Sequence, residues 1–370
     1  MILKDIELEN FTNYEKEKCF FSENVNIFIG DNAQGKSNLL DSIYYLANIN
    51  SSRGNKEKDL IKWGRDSFSI SAHFLNRIGF NKVEVNFINK KKEVHINSYK
   101  IEKKREYIGY LITVMFSPED LNIIKGDPSL RRKYLDEELI ATDIEYFLSS
   151  LKYRKILEQR NKLLKEAYRR KINDHVMEAW EEQLVKYGTI ILQKRINMVN
   201  KIKTIANKIH YLISDNKDNL NIEYSTKLDL EFLNKNDIDL FKEKYFKKLV
   251  ESRNKDIERG YTSIGPHRDD LEIEINNISG KKFASQGQQR TVALCLKMAE
   301  IEFIKETIGE YPLLLLDDVL SELDKKRKNK LLEAIGENIQ TFITTTDLND
   351  INDDLLKKGK IINIVEGRII

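Results

Sequence analysis

The residues from Gly30 to Ser37 have the types and the spacing needed to hold a phosphate chain. The segment matches the P-loop pattern in full and reads Gly30-Asp31-Asn32-Ala33-Gln34-Gly35-Lys36-Ser37. In such a loop the glycines let backbone N–H groups face a phosphate, the lysine adds a point charge and the serine offers a hydroxyl to Mg²⁺. We therefore predict an ATP site, with Lys36 also acting in catalysis. The expected contacts are Gly30, Asn32, Gln34, Gly35, Lys36, Ser37 and Asn38.

A second segment supplies the acidic groups that ATP chemistry needs. Four leucines, Leu313–Leu316, follow a proline and end in Asp317 and Asp318. A continuous apolar run of this length is typical of a buried strand. We expect the strand to bring Asp317 to Mg²⁺, together with Ser37. Asp318 would then orient or deprotonate the attacking water.

A third segment, Ser285-Gln286-Gly287-Gln288-Gln289, comes directly before an apolar helix. Because helix N-termini favour anions, a serine and a glycine there form a second phosphate site. Ser285, Gly287 and Gln288 are therefore predicted to bind ATP. In one folded chain they lie too far from Gly30–Ser37 to share a nucleotide with it. The pattern thus predicts two copies facing each other, each closing the ATP site of its partner.

Three smaller features each allow two interpretations. Thr346 follows a predicted strand and is either a γ-phosphate sensor or part of a surface turn. Residues 321–324 are either a contact between paired copies or another surface turn. Arg53, just beyond the P-loop helix, is either a phosphate contact or an ordinary surface arginine.

The predicted secondary structure that must position these residues changes twice along the chain. Apolar residues alternate with polar ones through the first third, which favours antiparallel strands. From Ser117, a natural helix N-cap, to about Gly260 the sequence is charged and mostly helical. After Gly260 the sequence again predicts strands, turns and helices. We predict an α/β ATPase lobe, residues 1–116 plus 261–370, interrupted by a helical insertion, residues 117–260.

Composition limits where the protein works. Of the 370 residues 41% are hydrophobic and 33% are charged, and the net charge is +3. No apolar run approaches the roughly 20 residues that span a bilayer, and the N-terminus lacks a signal-peptide pattern. Cys19 and Cys295 are expected to be reduced core thiols. These features predict a cytoplasmic protein with no membrane partner.

Four basic runs bear on nucleic-acid binding. They lie at residues 90–92, 103–105, 131–133 and 169–171. Each run alone is typical of a solvated face, whereas four together favour a basic stripe that contacts phosphates.

The order of these motifs resembles the ABC-type ATPase heads of the SMC group, and above all the RecF family of bacterial recombination mediators. The resemblance covers nearly the whole chain. Its further motifs are Phe116–Leu121, Lys125–Pro128 with Arg131 and Arg132, Gln159–Asn161, Gly265–Leu271 and Phe283–Thr291.

This resemblance implies an ABC-type P-loop head with a mixed sheet, an antiparallel β subdomain and a helical arm. It implies a weak, DNA-dependent ATPase that dimerises with ATP and binds single-stranded, double-stranded and gapped DNA. It also implies work with RecO and RecR in DNA repair, replication and the SOS response, where RecA is helped to displace single-strand-binding protein.

Some residues depart from the wider pattern. Asp318 stands where most ABC ATPases have glutamate, so slow turnover is expected, and Thr346 stands where many have histidine. Thr12 replaces an arginine common in RecF proteins, and no Q-loop glutamine is evident. His267 and Arg268 have two interpretations, a polar joint between the lobes or a DNA contact.

Two alternative functions are a transporter ATPase subunit and a structural SMC-type head. An ATPase subunit of a membrane transporter would need the missing coupling glutamine. A structural SMC-type head would need hundreds of residues of coiled coil in place of residues 117–260.

Overall fold

The computed structural model describes residues 1–169, 173–214, 217–235, 237–335, 338–351 and 353–370, so Arg170 and Lys171 of the fourth basic run lie outside the described residues. By packing, the chain divides into a first unit, Met1–Asn122 with Lys208–Lys217 and Ser285–Ile370, and a second unit, Ile123–Asn207 with Asp218–Ala284. This division differs from the predicted boundaries, because residues 261–284 pack with the second unit and residues 117–122 with the first.

The strands are numbered along the chain. The first group is β1 (Ile2–Phe11), β2 (Tyr14–Phe20), β3 (Val25–Ile29), β4 (Phe68–Asn76), β5 (Gly79–Ile88), β6 (Lys91–Ile96), β7 (Tyr99–Lys100) and β8 (Thr113–Phe116). The second unit contributes β9 (Leu220–Ser225), β10 (Asp270–Ile275) and β11 (Ile278–Ser279). The last group is β12 (Leu313–Asp317), β13 (Thr341–Thr345), β14 (Lys360–Val365) and β15 (Arg368–Ile369).

The helices follow the same numbering. They are α1 (Lys36–Asn48), α2 (Pro128–Thr142), α3 (Ile144–Ala167), α4 (Asp174–Ile213), α5 (Glu231–Asn234), α6 (Ile238–Arg259), α7 (Gly280–Phe283), α8 (Gln286–Ile308), α9 (Lys325–Ile335) and α10 (Asp353–Lys358). Among the described residues, no helix combines the length and the apolar character that crossing a membrane requires.

Two sheets organise the first unit. One has the order β15-β14-β3-β13-β12-β8, in which the strands from β14 to β8 are parallel and β15 is antiparallel to β14. The other is antiparallel, in the order β2-β1-β4-β5-β6-β7. The predicted α/β head with a mixed sheet and an antiparallel subdomain is confirmed. Because β13 lies between β3 and β12, the carboxyl ends of all three strands meet at one edge.

Helix α1 is held by a core that includes residues of both sheets. Its residues Leu39, Leu40 and Ile43 are fully buried. Burying each such side chain contributes about 1.5–3 kcal/mol. The start of the helix, at the end of the P-loop, is therefore fixed by packing on the rest of the helix.

The second unit combines helices with a small sheet in the order β11-β10-β9. Strand β9 lies inside the region predicted to be mostly helical, so that prediction was incomplete. A helix begins after Ser117, as predicted, but it is the short 3₁₀ helix Pro118–Ile123. The first long helix begins at Pro128, where a proline fits the first helical position.

A buried ion cluster holds the second unit together. Arg160 is fully buried and donates to Glu181 at 2.8 Å, to Asp256 at 2.9 Å and to the Thr262 hydroxyl at 2.8 Å. Losing one partner of such a cluster costs about 3–5 kcal/mol, because a buried charge is left uncompensated. The Gln159–Asn161 motif is thus explained at Arg160 by packing.

Candidate nucleotide site

The P-loop joins β3 to α1 through a backbone path that only glycine fits at two points. Gly35 has a φ of 115°, which L side chains rarely adopt. A Cβ atom on Gly35 would lie 2.4 Å from Asn13 Nδ2. At Gly30 a Cβ atom would lie 2.3 Å from the carbonyl oxygen of Ile364, in β14. The contact with β14 therefore dictates Gly30, whereas the positive φ and the Asn13 side chain dictate Gly35.

Lys36 is the first residue of α1, and its ammonium group lies inside the loop. Its Nζ donates to the carbonyls of Gly30 at 2.7 Å and Asp31 at 2.8 Å. Burial lowers the pKa of Lys36, and the nearby Asp318, Asp31 and Asp317 oppose that shift. A cation held among carbonyl oxygens at a helix N-terminus is placed to meet a phosphate.

A single hydroxyl connects the two aspartates at the end of β12, Asp317 and Asp318. Thr344, in β13, donates from Oγ1 to Asp317 Oδ1 at 2.9 Å and accepts from the backbone N–H of Asp318 at 2.9 Å. Asp318 has a φ of 54°, in the left-handed region that aspartate and asparagine tolerate better than most residues. Because of this turn, the carboxylate of Asp317 is buried and that of Asp318 is exposed.

Arg53 reaches this edge from the loop after α1. One of its guanidinium nitrogens lies 3.4 Å from Asp317 Oδ2. The loop is fixed by Asp41 of α1, whose carboxylate accepts from the hydroxyls of Ser51 at 2.9 Å and Ser52 at 2.6 Å. A buried carboxylate thus anchors the turn that carries Arg53.

These groups surround a cavity of about 380 Å³. Its lining combines P-loop residues with the carboxylate edge: Asn32, Ala33, Gly35, Lys36, Ser37, Asn38, Arg53, Asp318 and Thr344. Ser37 and Asp317 supply a hydroxyl and a carboxylate, which are the kinds of oxygen ligand that Mg²⁺ takes together with phosphates and water. The arrangement suits a metal–triphosphate.

A second cavity, of about 500 Å³, shares Asn38 with the first and extends to Trp63. Its other lining residues are Thr12, Asn13, Asn55, Asp59, Ile61 and Lys62. The Trp63 side chain is 97% exposed. An exposed indole beside amide and carboxylate groups offers a face for stacking and polar atoms for base edges. The sequence did not predict the lining of this second cavity, because no local pattern of residue types or spacing marks these residues.

Asn13 and Gln34 hold the loop from outside. Asn13 donates to the Gln34 carbonyl at 3.1 Å and accepts from Asn38 at 2.9 Å. The Gln34 side chain accepts from the backbone N–H of Glu366 at 2.5 Å. Gln34 was predicted to contact nucleotide, but in this structure its side chain binds the turn between β14 and β15.

The Ser285 segment is built as a helix cap. The Ser285 hydroxyl accepts from Gln288 N–H at 3.2 Å, and the Gln288 side chain accepts from Ser285 N–H at 3.0 Å. Arg327 donates to the Gly287 carbonyl at 3.0 Å. Among the described residues that line the first cavity, Ser285, Gly287 and Gln288 are not included. The structure therefore does not bring this segment to the chain's own P-loop cavity.

The remaining predicted features are Thr346, just after β13, and the segment 321–324, just after β12. Thr346 is exposed. Thr344, which belongs to the same candidate sensor segment, 344–347, lines the cavity instead. Glu322, in the segment 321–324, accepts from Arg290 of α8 at 2.7 Å. That segment is thus tied to the helix that carries Ser285 at its N-cap.

Arg131 of the third basic run and the pair His267 and Arg268 all lie within the second unit. Arg268 is exposed and His267 is half-buried. Arg131, from the third basic run, is buried and binds Asp270 through two nitrogens, at 2.6 and 2.9 Å. His267 Nδ1 lies 2.8 Å from the Tyr153 hydroxyl, and Arg268 covers the Tyr261 ring at 4.4 Å. Burial lowers the pKa of His267 to about 4. Arg131 therefore cannot form part of an exposed basic stripe.

A P-loop beside a carboxylate strand, a separate serine–glycine helix cap and a helical unit within the chain together define an ABC-type ATPase head. Residues 2–359 match the family described as the RecF/RecN/SMC N terminal domain. Within that family the chain belongs to the RecF proteins.

Full-length relatives support this assignment. The DNA replication and repair protein RecF of Clostridium beijerinckii is 44% identical over 372 residues, covering 100% of this chain and 98% of that protein. The corresponding protein of Bacillus thuringiensis is 41% identical over 370 residues, with coverage of 100% and 98%.

Solved structures agree in fold. The recombination mediator protein RecF of the RecFOR pathway, with ATPrS, superposes with a TM-score of 0.90 at 37% identity, covering 99% of this chain and 97% of that one. Its structure with ATP gives a TM-score of 0.89 at 38% identity, covering 100% and 97%. An Smc head, at 15% identity and a TM-score of 0.57, shares the fold alone.

Proposed function

We propose that this protein is an ATP-dependent DNA-binding clamp of recombinational repair and replication restart. The observation that carries the proposal is a divided site. Lys36, Ser37 and Asp318 line one cavity, and the Ser285 segment lies outside it. Two copies arranged head to head would let each Ser285 segment meet the partner's ATP, so that ATP drives dimerisation.

Within each site the residues have separate roles. The triphosphate lies in the first cavity, with its charge met by Lys36, Arg53 and the helix N-terminus. Ser37 and Asp317 would hold Mg²⁺, which would neutralise phosphate charge. Asp318 positions the attacking water. The base lies in the second cavity against Trp63.

Slow hydrolysis releases the clamp from DNA. Aspartate reaches less far than glutamate, so Asp318 holds the attacking water less closely and turnover is low. Phosphate contacts dominate binding to single-stranded, double-stranded and gapped DNA, so the affinity falls steeply with salt and depends little on base sequence.

The RecF relatives supply the biological setting. Their names place them in DNA replication and repair and in the RecFOR pathway. From the family resemblance we further propose that this protein acts in the cytoplasm with RecO and RecR, promotes RecA loading at gaps, and has weak ATPase activity that DNA stimulates. The transporter and SMC-tether alternatives receive no support, because the second unit joins short segments of the chain and forms its own compact fold.

Sedimentation velocity tests the proposal. We expect a monomer without nucleotide, a dimer with ATP, and co-sedimentation of the dimer with gapped duplex DNA. Lys36→Ala should remove ATP binding and with it the dimer, whereas Lys16→Ala, on exposed β2, serves as the matched control. Equal ATP affinity in Lys36→Ala and wild type would overturn the assignment of the P-loop.

A further inference from the structure

A cavity of about 190 Å³ lies wholly within the second unit and has no role in the ATP site. Helices α2, α3 and α4 and the loop before β10 form it. Its lining residues are Arg132, Asp136, Tyr146, Ser150, Tyr153, Arg154, Leu157, Ile191, Arg195, Pro266 and His267. Three arginines and one carboxylate therefore face one small space.

The carboxylate is neutralised inside the protein. Arg195 is buried and donates to Asp136 at 2.6 Å. The same guanidinium donates to the Pro266 carbonyl at 2.7 Å and to the Tyr146 hydroxyl at 2.9 Å. Asp136 and Arg195 thus compensate each other, and the remaining charge of the cavity comes from the other two arginines.

Within the described residues neither of those two arginines forms an ion pair, although Asp270 and Asp136 lie close enough to interact with the charge of Arg132. Arg132 of α2 donates to the backbone carbonyl of Asp269 at 2.8 Å and, in the described part of the chain, forms no ion pair. Arg154 of α3 is exposed and has neither an ion pair nor a hydrogen bond within the described residues. The cavity therefore presents two guanidinium groups, on two different helices, that no ion pair within the described residues holds.

The other polar groups do not balance this charge. His267 Nε2 lies 3.0 Å from the Thr262 carbonyl, so this nitrogen carries the proton and Nδ1 accepts from Tyr153. The pKa of His267 is lowered to about 4, first by burial and further by Arg268, Arg132 and Arg160. The ring is neutral at pH 7 and leaves the positive potential unchanged.

We propose that this cavity binds a phosphate group through Arg132 and Arg154. Guanidinium groups match phosphate oxygens in planar, two-point contacts, and the charge makes these hydrogen bonds strong. Since a water takes about 30 Å³, a space of about 190 Å³ holds a phosphate with part of an attached group. The phosphate comes from DNA or from a free phosphate ester.

Calorimetric titration with inorganic phosphate tests the binding. The titration uses the full chain carrying Lys36→Ala, so that the P-loop does not contribute. Arg154→Gln should weaken phosphate binding about tenfold, the effect of losing a charge-assisted contact. Arg132→Lys keeps the charge but loses the planar fork, and should weaken binding several-fold.

The matched control is Lys155→Gln, which removes the same charge from an adjacent exposed position of α3 that does not line the cavity. It should leave phosphate binding unchanged. Equal effects of Arg154→Gln and Lys155→Gln would overturn the proposal, as would the absence of any phosphate binding in the Lys36→Ala protein.

Fluorescence anisotropy at fixed salt identifies the source of the phosphate. Duplexes carrying a 5′-phosphate or a 5′-hydroxyl are compared with the wild type and Arg154→Gln. A 5′-phosphate preference that Arg154→Gln removes assigns the cavity to a strand terminus. Equal loss with both duplexes assigns it to an internal phosphodiester. Unchanged affinity for both, with phosphate binding still dependent on Arg154, assigns it to a free phosphate ester.

Discussion

A guanidinium nitrogen of Arg53 lies 3.4 Å from Oδ2 of Asp317, although the two residues are 264 positions apart. Asp317, a proposed Mg²⁺ ligand, is the last residue of β12. Arg53 lines the cavity that suits a triphosphate. The interpretation of Arg53 as an ordinary surface arginine does not account for this position. Its side chain is placed to contact both the carboxylate edge and a phosphate.

Replacing Arg53 tests that placement. Arg53→Ala should lower kcat/KM for ATP about tenfold, because one charge-assisted contact to phosphate is lost from a half-exposed side chain. Steady-state ATP hydrolysis measures the effect, and Arg53→Lys should recover part of it. Arg65→Ala, an exposed arginine paired with Glu15, is the control. If both alanine variants hydrolyse ATP equally well, Arg53 has no role at the site.

Asp318→Asn should bind ATP with unchanged affinity but hydrolyse it about 10²–10⁴-fold more slowly, because the water-positioning carboxylate is lost. The exchange is a clean one, since asparagine tolerates the φ of 54° at this position as aspartate does. The dimer should persist after ATP is added, measured by sedimentation over time. Asp347→Asn is the control, and wild-type turnover in Asp318→Asn would remove Asp318 from this role.

Ser285→Arg should permit ATP binding but prevent the ATP-dependent dimer, because a long cation replaces the cap that meets the partner's phosphate. Sedimentation with and without ATP measures this. Ser285→Asn keeps a good helix cap and tests whether loss of the cap alone explains the effect. An ATP-dependent dimer in Ser285→Arg would count against the head-to-head arrangement.

Trp63→Ala should weaken ATP binding about tenfold, since stacking of a base on an aromatic ring contributes about 1–3 kcal/mol. Affinity for tripolyphosphate, which has no base, should not change. ATP should also alter the fluorescence of the wild type, and Trp180→Phe should retain that response. Equal losses of ATP and tripolyphosphate affinity would show that Trp63 acts through the loop rather than through a base.

The buried His267 should make stability depend on pH. Its pKa is about 4 in the folded state against 6.5 unfolded, so its contribution is present above pH 6.5 and is lost as pH falls toward 4. The pKa of Asp269 is raised by burial to about 6, and this group acts in the opposite direction below pH 6. The two opposing groups reduce the net pH dependence of the wild type.

His267→Gln separates the two contributions. The difference in unfolding free energy between wild type and His267→Gln should fall by about 2 kcal/mol between pH 7 and pH 4.5, measured by urea unfolding. His175→Gln alters a histidine that is 89% exposed and should show no such change. A difference that is independent of pH would contradict the buried, neutral state of His267.

Local patterns in the sequence predicted the elements whose functional residues are consecutive in the chain. Gly30–Ser37 is a loop between a strand and a helix, and Leu313–Asp317 is a fully buried strand, as expected. The start of a helix at Ser285 was also predicted. In each case neighbouring residues carry the whole signal, because backbone conformation and burial periodicity are local properties.

Tertiary structure alone decided the contacts between distant segments. Strand order placed Thr344 against Asp317, and a buried carboxylate, Asp41, turned Arg53 toward the same edge. Packing also turned Arg131 from a predicted basic surface into an internal ion pair. A side chain's residue type states which bonds it can form, whereas the folded neighbours decide which bonds it does form. The sequence by itself therefore determined an ATPase of this class, and only the fold determined which residues complete its cavity.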